Sequence, residues 1–361
     1  MELFKEGRTK FHSYSGEPTK KMPVFYNPEM QRQRDLTISV LSAYQKAAGK
    51  KLHVADPLAG SGVRGIRILK EAEGIEKVVF NDIASESVKL IKKNLKLNKI
   101  NKKIKVYHRD ARILLFENRS SFDFIDIDPF GSPIKYLEAS AFAIKHGGLF
   151  AATATDTGAL AGSFPKTCLR RYGVKVCKTE FYKELGIRVL ITAIQQAFAR
   201  YQAGFVPILS HSNHFFRVFG IVEKNRAAAD SILKRTGFIS YCKKCLSRVF
   251  EYENVCKNCG TKNEIIGPIW LGQIQDKGFV GKIIQEIQNR DFKIKLIEEE
   301  DAPTYYDISE ACSRYRLESV KIDNLVEKLK NSGFKASRTS LCPTGIKTDA
   351  GIKEIVKIIQ Q

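Results

Sequence analysis

The sequence predicts an α/β fold, with a Rossmann-like, mostly parallel sheet flanked by helices and then a smaller C-terminal α/β domain that carries a four-cysteine ribbon. From Leu52 onward, apolar strand-like runs alternate with amphipathic helical stretches, the pattern of successive βαβ units. A glycine loop, Gly60-Ser61-Gly62-Val63-Arg64-Gly65, follows the first of these runs and opens a helix. Farther on, Cys242, Cys245, Cys256 and Cys259 fall in two matched pairs where the alternation has stopped.

The elements can be taken in order. Leu52 to Ala55 is a strand ending at Asp56-Pro57, and the glycine loop starts a helix through Ile66 and Leu69. Lys77 to Phe80 is a second strand ending at Asn81-Asp82. Ala84 to Leu97 is a helix with an apolar face (Val88, Leu90, Ile91, Leu95) and a Lys-rich one. Ile104 to His108 is a third strand, ending at Arg109-Asp110-Ala111. The apolar run from Phe122 ends in the tetrad Asp128-Pro129-Phe130-Gly131, and Pro133 opens a helix to about Lys145. Leu149 to Thr155 is the fifth strand. A basic segment from Thr157 to Lys178 leads to a helix over Phe181 to Tyr201, then two extended runs, Phe205 to Ser210 and Phe215 to Glu223, that read as an antiparallel hairpin. Five parallel strands closed by such a hairpin make the seven-stranded sheet of class I methyltransferases rather than the six parallel strands of a dehydrogenase.

Near Lys224 the rhythm stops, which places a domain boundary at residue 237: residues 1–237 form the first domain and 238–361 the second, with the cysteine ribbon at 241–263. The remainder gives helices near Val280 to Asn289, Ile308 to Tyr315 and Val320 to Ser332, then a β-like Phe334 to Ser337. Two helices followed by a hairpin suit a winged-helix or similar small module.

Length and charge bound the function. The chain of 361 residues, 43% of them hydrophobic, is long enough for about two domains with ordinary cores. Sixty Lys and Arg against 39 Asp and Glu leave a net charge of +21, a field that concentrates polyanions, so nucleic acid is the leading partner. A Lys-rich protein charged only for solubility is the plainer reading. The charged start has no signal-peptide run and no stretch suits a bilayer span, which points to a cytoplasmic protein without a membrane partner. Nothing marks an obligatory protein partner. Cys168, Cys177, Cys312 and Cys342 are isolated and read as small buried hydrophobes.

The glycine loop lets the backbone turn sharply and approach an adenosine cofactor, with helix N–H groups facing it; Gly60 and Gly62 are the positions of closest approach. Asp82, seventeen positions after Gly65, is placed for ribose hydroxyls, and Asp110-Ala111 for the adenine edge. The loop alone does not separate NAD from S-adenosylmethionine. The tetrad does, because it is similar to the acidic Asp/Asn-Pro-Pro-aromatic motif of amino-methyltransferases and no hydride-transfer pairing follows it. An exocyclic guanine amine is a poor nucleophile, its lone pair being delocalised into the ring. The Asp128 carboxylate accepts its N–H and then its proton, while Phe130 stacks on the base. A capping Asp beside a core Phe is the alternative. Upstream, Phe25 lies in a proline-bounded loop, Met22 to Pro28, and can supply the second face of a base sandwich. Arg34 and Arg64 suit either the methionine carboxylate of the cofactor or a nucleic-acid phosphate.

The two Cys-x-x-Cys knuckles, separated by ten residues, match the closed tetrahedral site of a structural Zn2+. A redox dithiol and a catalytic zinc are the weaker readings, since no thioredoxin-like βαβ surrounds the pairs and no ligand position looks open.

With Gly60 to Gly65, Asn81-Asp82, Arg109-Asp110-Ala111, the tetrad, Phe25-Tyr26-Asn27-Pro28, Thr153-Ala154-Thr155-Asp156 and Ser337-Arg338-Thr339 in view, the chain resembles the tRNA (guanine-26 N2)-dimethyltransferase family over nearly its whole length. The resemblance implies two methyl transfers to one guanine amine of tRNA. It makes Asp128 the catalytic acid, with Phe25 and Phe130 flanking the guanine, and Arg34, Arg64, Asp82, Asp110 and Ala111 contacting S-adenosylmethionine. It also gives the C-terminal domain a grip on tRNA. Ser340 departs from the histidine expected after Ser-Arg-Thr. Two other functions stay open on sequence: an amino-methyltransferase acting on another guanine, and a non-catalytic zinc-containing RNA-binding protein.

Overall fold

The computed structural model describes residues 1–14, 22–24, 26–101, 104–287 and 299–361. It opens with a hairpin that the sequence reading did not anticipate, β1 (Glu2–Glu6) and β2 (Thr9–Ser13), turned at Gly7 with φ +51°. Its outer edge is not left open. Asn94 exchanges hydrogen bonds with the backbone of His12 at 2.7 and 3.0 Å, and Asn98 does the same with Lys10.

The central sheet holds β3 (Leu52–Asp56), β4 (Ile75–Asp82), β5 (Ile104–His108), β6 (Phe122–Ile127), β7 (Ile144–Ala154), β8 (Gly204–Ser212) and β9 (Phe216–Glu223) in the order β5-β4-β3-β6-β7-β9-β8. β3 to β7 are parallel, and β9 lies antiparallel between β7 and β8. This is the expected seven-stranded sheet, with strand ends shifted, most notably in β4 and β7. β4 runs through Asp82 itself, and β7 starts at Ile144, where Ile144 pairs with Phe122 instead of prolonging the preceding helix.

Helices cover both faces. On one lie α1 (Gln31–Ala48), closed by a left-handed Gly49, α2 (Val63–Glu71) and α3 (Ser85–Leu97); on the other α4 (Ala111–Phe116), α5 (Ile134–Ala143), α6 (Thr157–Leu160), α7 (Pro165–Tyr172) and α8 (Tyr182–Ala199). α9 (Arg226–Leu233) packs against α8 and β8. The strand order reverses at β3, with β4 on one side and β6 on the other, and open α/β sheets bind their ligands at the carboxyl ends of such a switch point.

A three-stranded antiparallel sheet follows, β10 (Thr236–Tyr241), β11 (Arg248–Val249) and β12 (Glu264–Trp270), and it carries the cysteine knuckles. α10 (Lys277–Glu286) returns to α1, adding Val280 and Ile283 to the core beneath it; the far end of the helix expected to Asn289 lies outside the described residues. The last module comprises β13 (Tyr306–Asp307), helices Ile308–Tyr315 and Ile322–Asn331, β14 (Ala336–Thr339), β15 (Cys342–Thr348) and a closing helix Ile352–Ile359. It thus contains the helix, helix and hairpin read from the sequence. Fully buried Arg188 of α8 ties the two regions together: it pairs with Glu184 and donates to the carbonyls of Trp270 and Gly272 at 3.0 and 2.9 Å.

Candidate active site and cysteine centre

The glycine loop sits at the carboxyl end of β3. Gly60 and Gly62 have φ of +54° and +78°, a region open to glycine at no steric cost, and Gly62 caps α2. Gly65 serves packing: a Cβ there would lie 2.3 Å from the Phe80 ring, so glycine lets α2 lie close on β4. Asp82, at the end of β4, accepts from the amides of Gly60 and Ala84, both at 2.9 Å, which locks the acid to the loop. Ile83 beside it is 67% exposed, an apolar surface the sequence reading did not single out. Asp110 caps α4 through the Arg112 amide at 2.8 Å and pairs with the Arg112 side chain, which holds its carboxyl at about 2; Ala111 is buried in the first turn behind it. This glycine-rich loop, beside two strand-end acids, fits the polar and hydroxyl groups of an adenosyl cofactor.

The tetrad stands at the end of β6, beside β3. Gly131 takes φ +80° and is stitched to the end of β7 by two hydrogen bonds, its amide to Thr155 Oγ1 at 2.7 Å and Thr155 N to its carbonyl at 2.9 Å. This turn leaves Phe130 47% exposed, a position suited to stacking. Arg64, on the first turn of α2, donates from Nη2 to Asp128 Oδ2 and from Nη1 to Asp126 Oδ2 at 2.5 Å. No described residue donates to Asp128 Oδ1.

Asp126 belongs to a buried network that the sequence reading missed. Arg217 of β9, fully buried, grips both Asp126 oxygens at 3.0 and 2.6 Å and also donates to Thr153 and Thr37. Burial opposes ionisation of Asp126, but Arg217 and Arg64 outweigh it and hold its carboxyl below the usual range. Asp56 is the third carboxylate near Arg64. Burial, reinforced by Asp126 and Asp128 and opposed by Arg64, lifts it to about 7. The available signal was a charged residue inside each apolar strand run, Asp126 in β6 and Arg217 in β9.

Arg34 stands on α1 and is engaged with the N-terminal hairpin. Its guanidinium is clamped on Glu6 of the N-terminal hairpin at 2.8 and 2.5 Å, donates to the Asn27 carbonyl at 3.0 Å and lies over the Tyr26 ring. Phe25 lies outside the described residues.

The four cysteines come together, all their sulfurs within 4.8 Å of one another. Cys242 and Cys259 Sγ are 3.5 Å apart, as are those of Cys245 and Cys256. Thiolates around a tetrahedral zinc are spaced about 3.8 Å, so the set fits a closed structural site. The knuckles are near copies: Leu246 N donates to Cys242 O and Gly260 N to Cys256 O, both at 2.8 Å, with Leu246 and Gly260 both at positive φ. Arg248 of β11 anchors the ribbon, pairing with Glu180 and donating to Tyr305 O at 2.8 Å while lying over the Tyr306 ring.

A seven-stranded sheet of this order with a glycine loop at the end of β3 is that of a class I methyltransferase. Comparison with known proteins specifies it further. The profile of the N2,N2-dimethylguanosine tRNA methyltransferase family matches residues 7–360, and the chain belongs to that family. It is 38% identical to the tRNA (guanine(26)-N(2))-dimethyltransferase of Methanosphaera stadtmanae over 94% of this chain and 91% of that one. It is 33% identical to the tRNA (guanine(26)-N(2)/guanine(27)-N(2))-dimethyltransferase of Aquifex aeolicus, over 100% and 96%. The solved complex of Trm1 from Pyrococcus horikoshii with S-adenosyl-L-methionine superposes with a TM-score of 0.89 at 30% identity, covering 99% of both chains.

Proposed function

We propose that this protein transfers methyl groups from S-adenosylmethionine to the exocyclic N2 of guanine 26 in tRNA, giving N2,N2-dimethylguanosine. The observation that carries the reading is the Asp128 carboxylate at the end of β6, held on one oxygen by Arg64 and free of described donors on the other, beside a half-exposed Phe130.

When bound, S-adenosylmethionine supplies a methyl group on a sulfonium sulfur. Gly60, Gly62 and Asp82 form the loop side of its site, with Asp110 and Ala111 at the adenine end. Arg64 on α2 and Arg34 on α1 would meet its methionine carboxylate. Phe130 holds the guanine plane, with Phe25 assigned to the opposite face. Asp128 Oδ1 accepts an N2–H, which returns electron density to the nitrogen and orients its lone pair. As the N–C bond forms and the C–S bond breaks, the nitrogen becomes acidic and its proton passes to Asp128, then to solvent. The N–H that remains after one transfer permits a second.

Cys242, Cys245, Cys256 and Cys259 hold a structural zinc. Residues 1–237 form the catalytic domain and 238–361 a tRNA-gripping domain, a division supported by the separate sheet that begins at Thr236. No described helix is long and apolar enough to cross a membrane, and the tRNA substrate favours a cytoplasmic location.

Methyl incorporation from labelled S-adenosylmethionine into an unmodified tRNA transcript, run beside the same transcript with adenine at position 26, tests the reading. Labelling of the first alone is expected. Equal labelling of both moves the target, for which the guanine-27 activity in the name of the Aquifex relative is the specific alternative. Labelling of neither rejects the reading.

A further inference from the structure

The sheet order places the cofactor loop at β3, the tetrad at β6, and then β7, β9 and β8 on the far side. At the same end of those last strands, between α6, the start of α8 and the β8–β9 turn, lies a cavity of about 580 Å³. Among the described residues no acidic side chain lines it, whereas Lys178, Lys183 and His214 do. Neither lysine pairs with a carboxylate among the described residues.

The walls are built for a ligand that accepts and donates hydrogen bonds. Ser212 is 8% exposed, and its hydroxyl, like that of Thr179, is buried without a hydrogen-bond partner. A buried hydroxyl left unpaired costs about 1–3 kcal/mol, and both belong to residues that line the cavity. Tyr182 and Phe216 add aromatic surface. The wall is held close by Gly162, at φ +84°, where a Cβ would lie 2.1 Å from the Cys177 carbonyl. The cavity is continuous with the tetrad through the chain: Thr155, bonded to Gly131, is followed by Asp156 and then by Thr157 on the cavity wall.

We infer that this cavity receives a nucleotide of the tRNA strand that flanks the target guanine, its phosphate on Lys178 and Lys183 and its ribose or base edge on Ser212, Thr179 and Tyr182. The inference rests on the tRNA reading and adds where the strand continues once the base is held at Phe130. The cavity lies two to three strand positions from β6, about 10–14 Å, on the side away from the cofactor loop.

The test is steady-state methylation of the tRNA transcript by wild type and by Lys178→Gln/Lys183→Gln at several salt concentrations, with S-adenosylmethionine affinity as the folding control. The double variant should raise the apparent KM for tRNA about tenfold and make its logarithmic salt dependence shallower by about 1–2, with cofactor affinity unchanged. Ser163→Trp, which fills the cavity without removing charge, should raise KM and leave the salt slope as it was. Lys92→Gln/Lys96→Gln, an equal charge loss on the distant face of α3, should stay within about twofold of wild type. An unchanged KM in the first two variants, or the same loss in the third, overturns the inference. If wild type itself labels no tRNA, the failure is that of the proposed function instead.

Discussion

Arg64 and Asp128, sixty-four positions apart, are joined by an ion pair that fixes one oxygen of the tetrad carboxylate to the first turn of the glycine-loop helix. The carboxylate proposed to meet the substrate and the helix that opens from the glycine loop therefore share one guanidinium. Its other arm rests on Asp126, which Arg217 grips from β9, so the registers of α2, β6 and β9 together set where Asp128 points.

Asp128→Ala should lower single-turnover methyl transfer by about 10²–10⁴-fold while leaving tRNA affinity within about twofold, because the carboxylate acts mainly as the nitrogen attacks. Rapid-quench rates beside filter binding check this. A full rate in the variant would remove Asp128 from the chemistry.

Phe130→Ala should reduce kcat/KM for tRNA by about 1–3 kcal/mol, the loss of one stacking face. Being half exposed, the ring should contribute little to folding, under about 0.5 kcal/mol by denaturant titration. Phe130→Tyr should retain most activity; if it fails as badly as alanine, stacking is not the role.

Arg217→Met should destabilise the fold by about 3–5 kcal/mol, because it leaves Asp126 ionised and buried. Adding Asp126→Leu should recover part of that loss, since an apolar pair can replace a buried ion pair. Denaturation midpoints of both single variants and the double variant decide it, and simple additivity would deny the coupling.

Asp56 gives a pH signature. Its folded pKa is raised from 3.8 to about 7, so the native state holds a proton that the unfolded chain releases. Its contribution is therefore complete below about pH 4 and lost as pH climbs toward 7. Asp56→Asn should accordingly gain stability relative to wild type across that interval, and a constant difference between the two proteins at pH 4.5, 5.5 and 6.5 would contradict the shift.

Removing the metal should unfold the ribbon. Cys256→Ser is expected to lose stoichiometric zinc and lower the melting temperature, while S-adenosylmethionine still binds at the distant β3 crevice. Metal analysis and calorimetry on the same preparation provide both readouts. Full zinc content in the serine variant would show that Cys256 is not a ligand.

The sequence by itself determined the parts whose geometry is local. A strand, a glycine turn and a helix follow one another at Leu52 to Leu69 because alternation and φ preference act over a few residues. The tetrad and the two cysteine knuckles are legible for the same reason, since each fits within four consecutive positions. The tertiary structure alone decided which of these parts meet. Arg217 reaches Asp126 across 91 positions and Arg34 reaches Glu6 across 28, partners set by strand order and by a hairpin too short to carry a clear pattern. Asp56 rises to about 7 only because the fold buries it beside Asp126 and Asp128. The cavity between α6, the start of α8 and the β8–β9 turn likewise exists only once those elements converge. Hydrophobic periodicity specifies which face is buried, but not which buried charges will face each other.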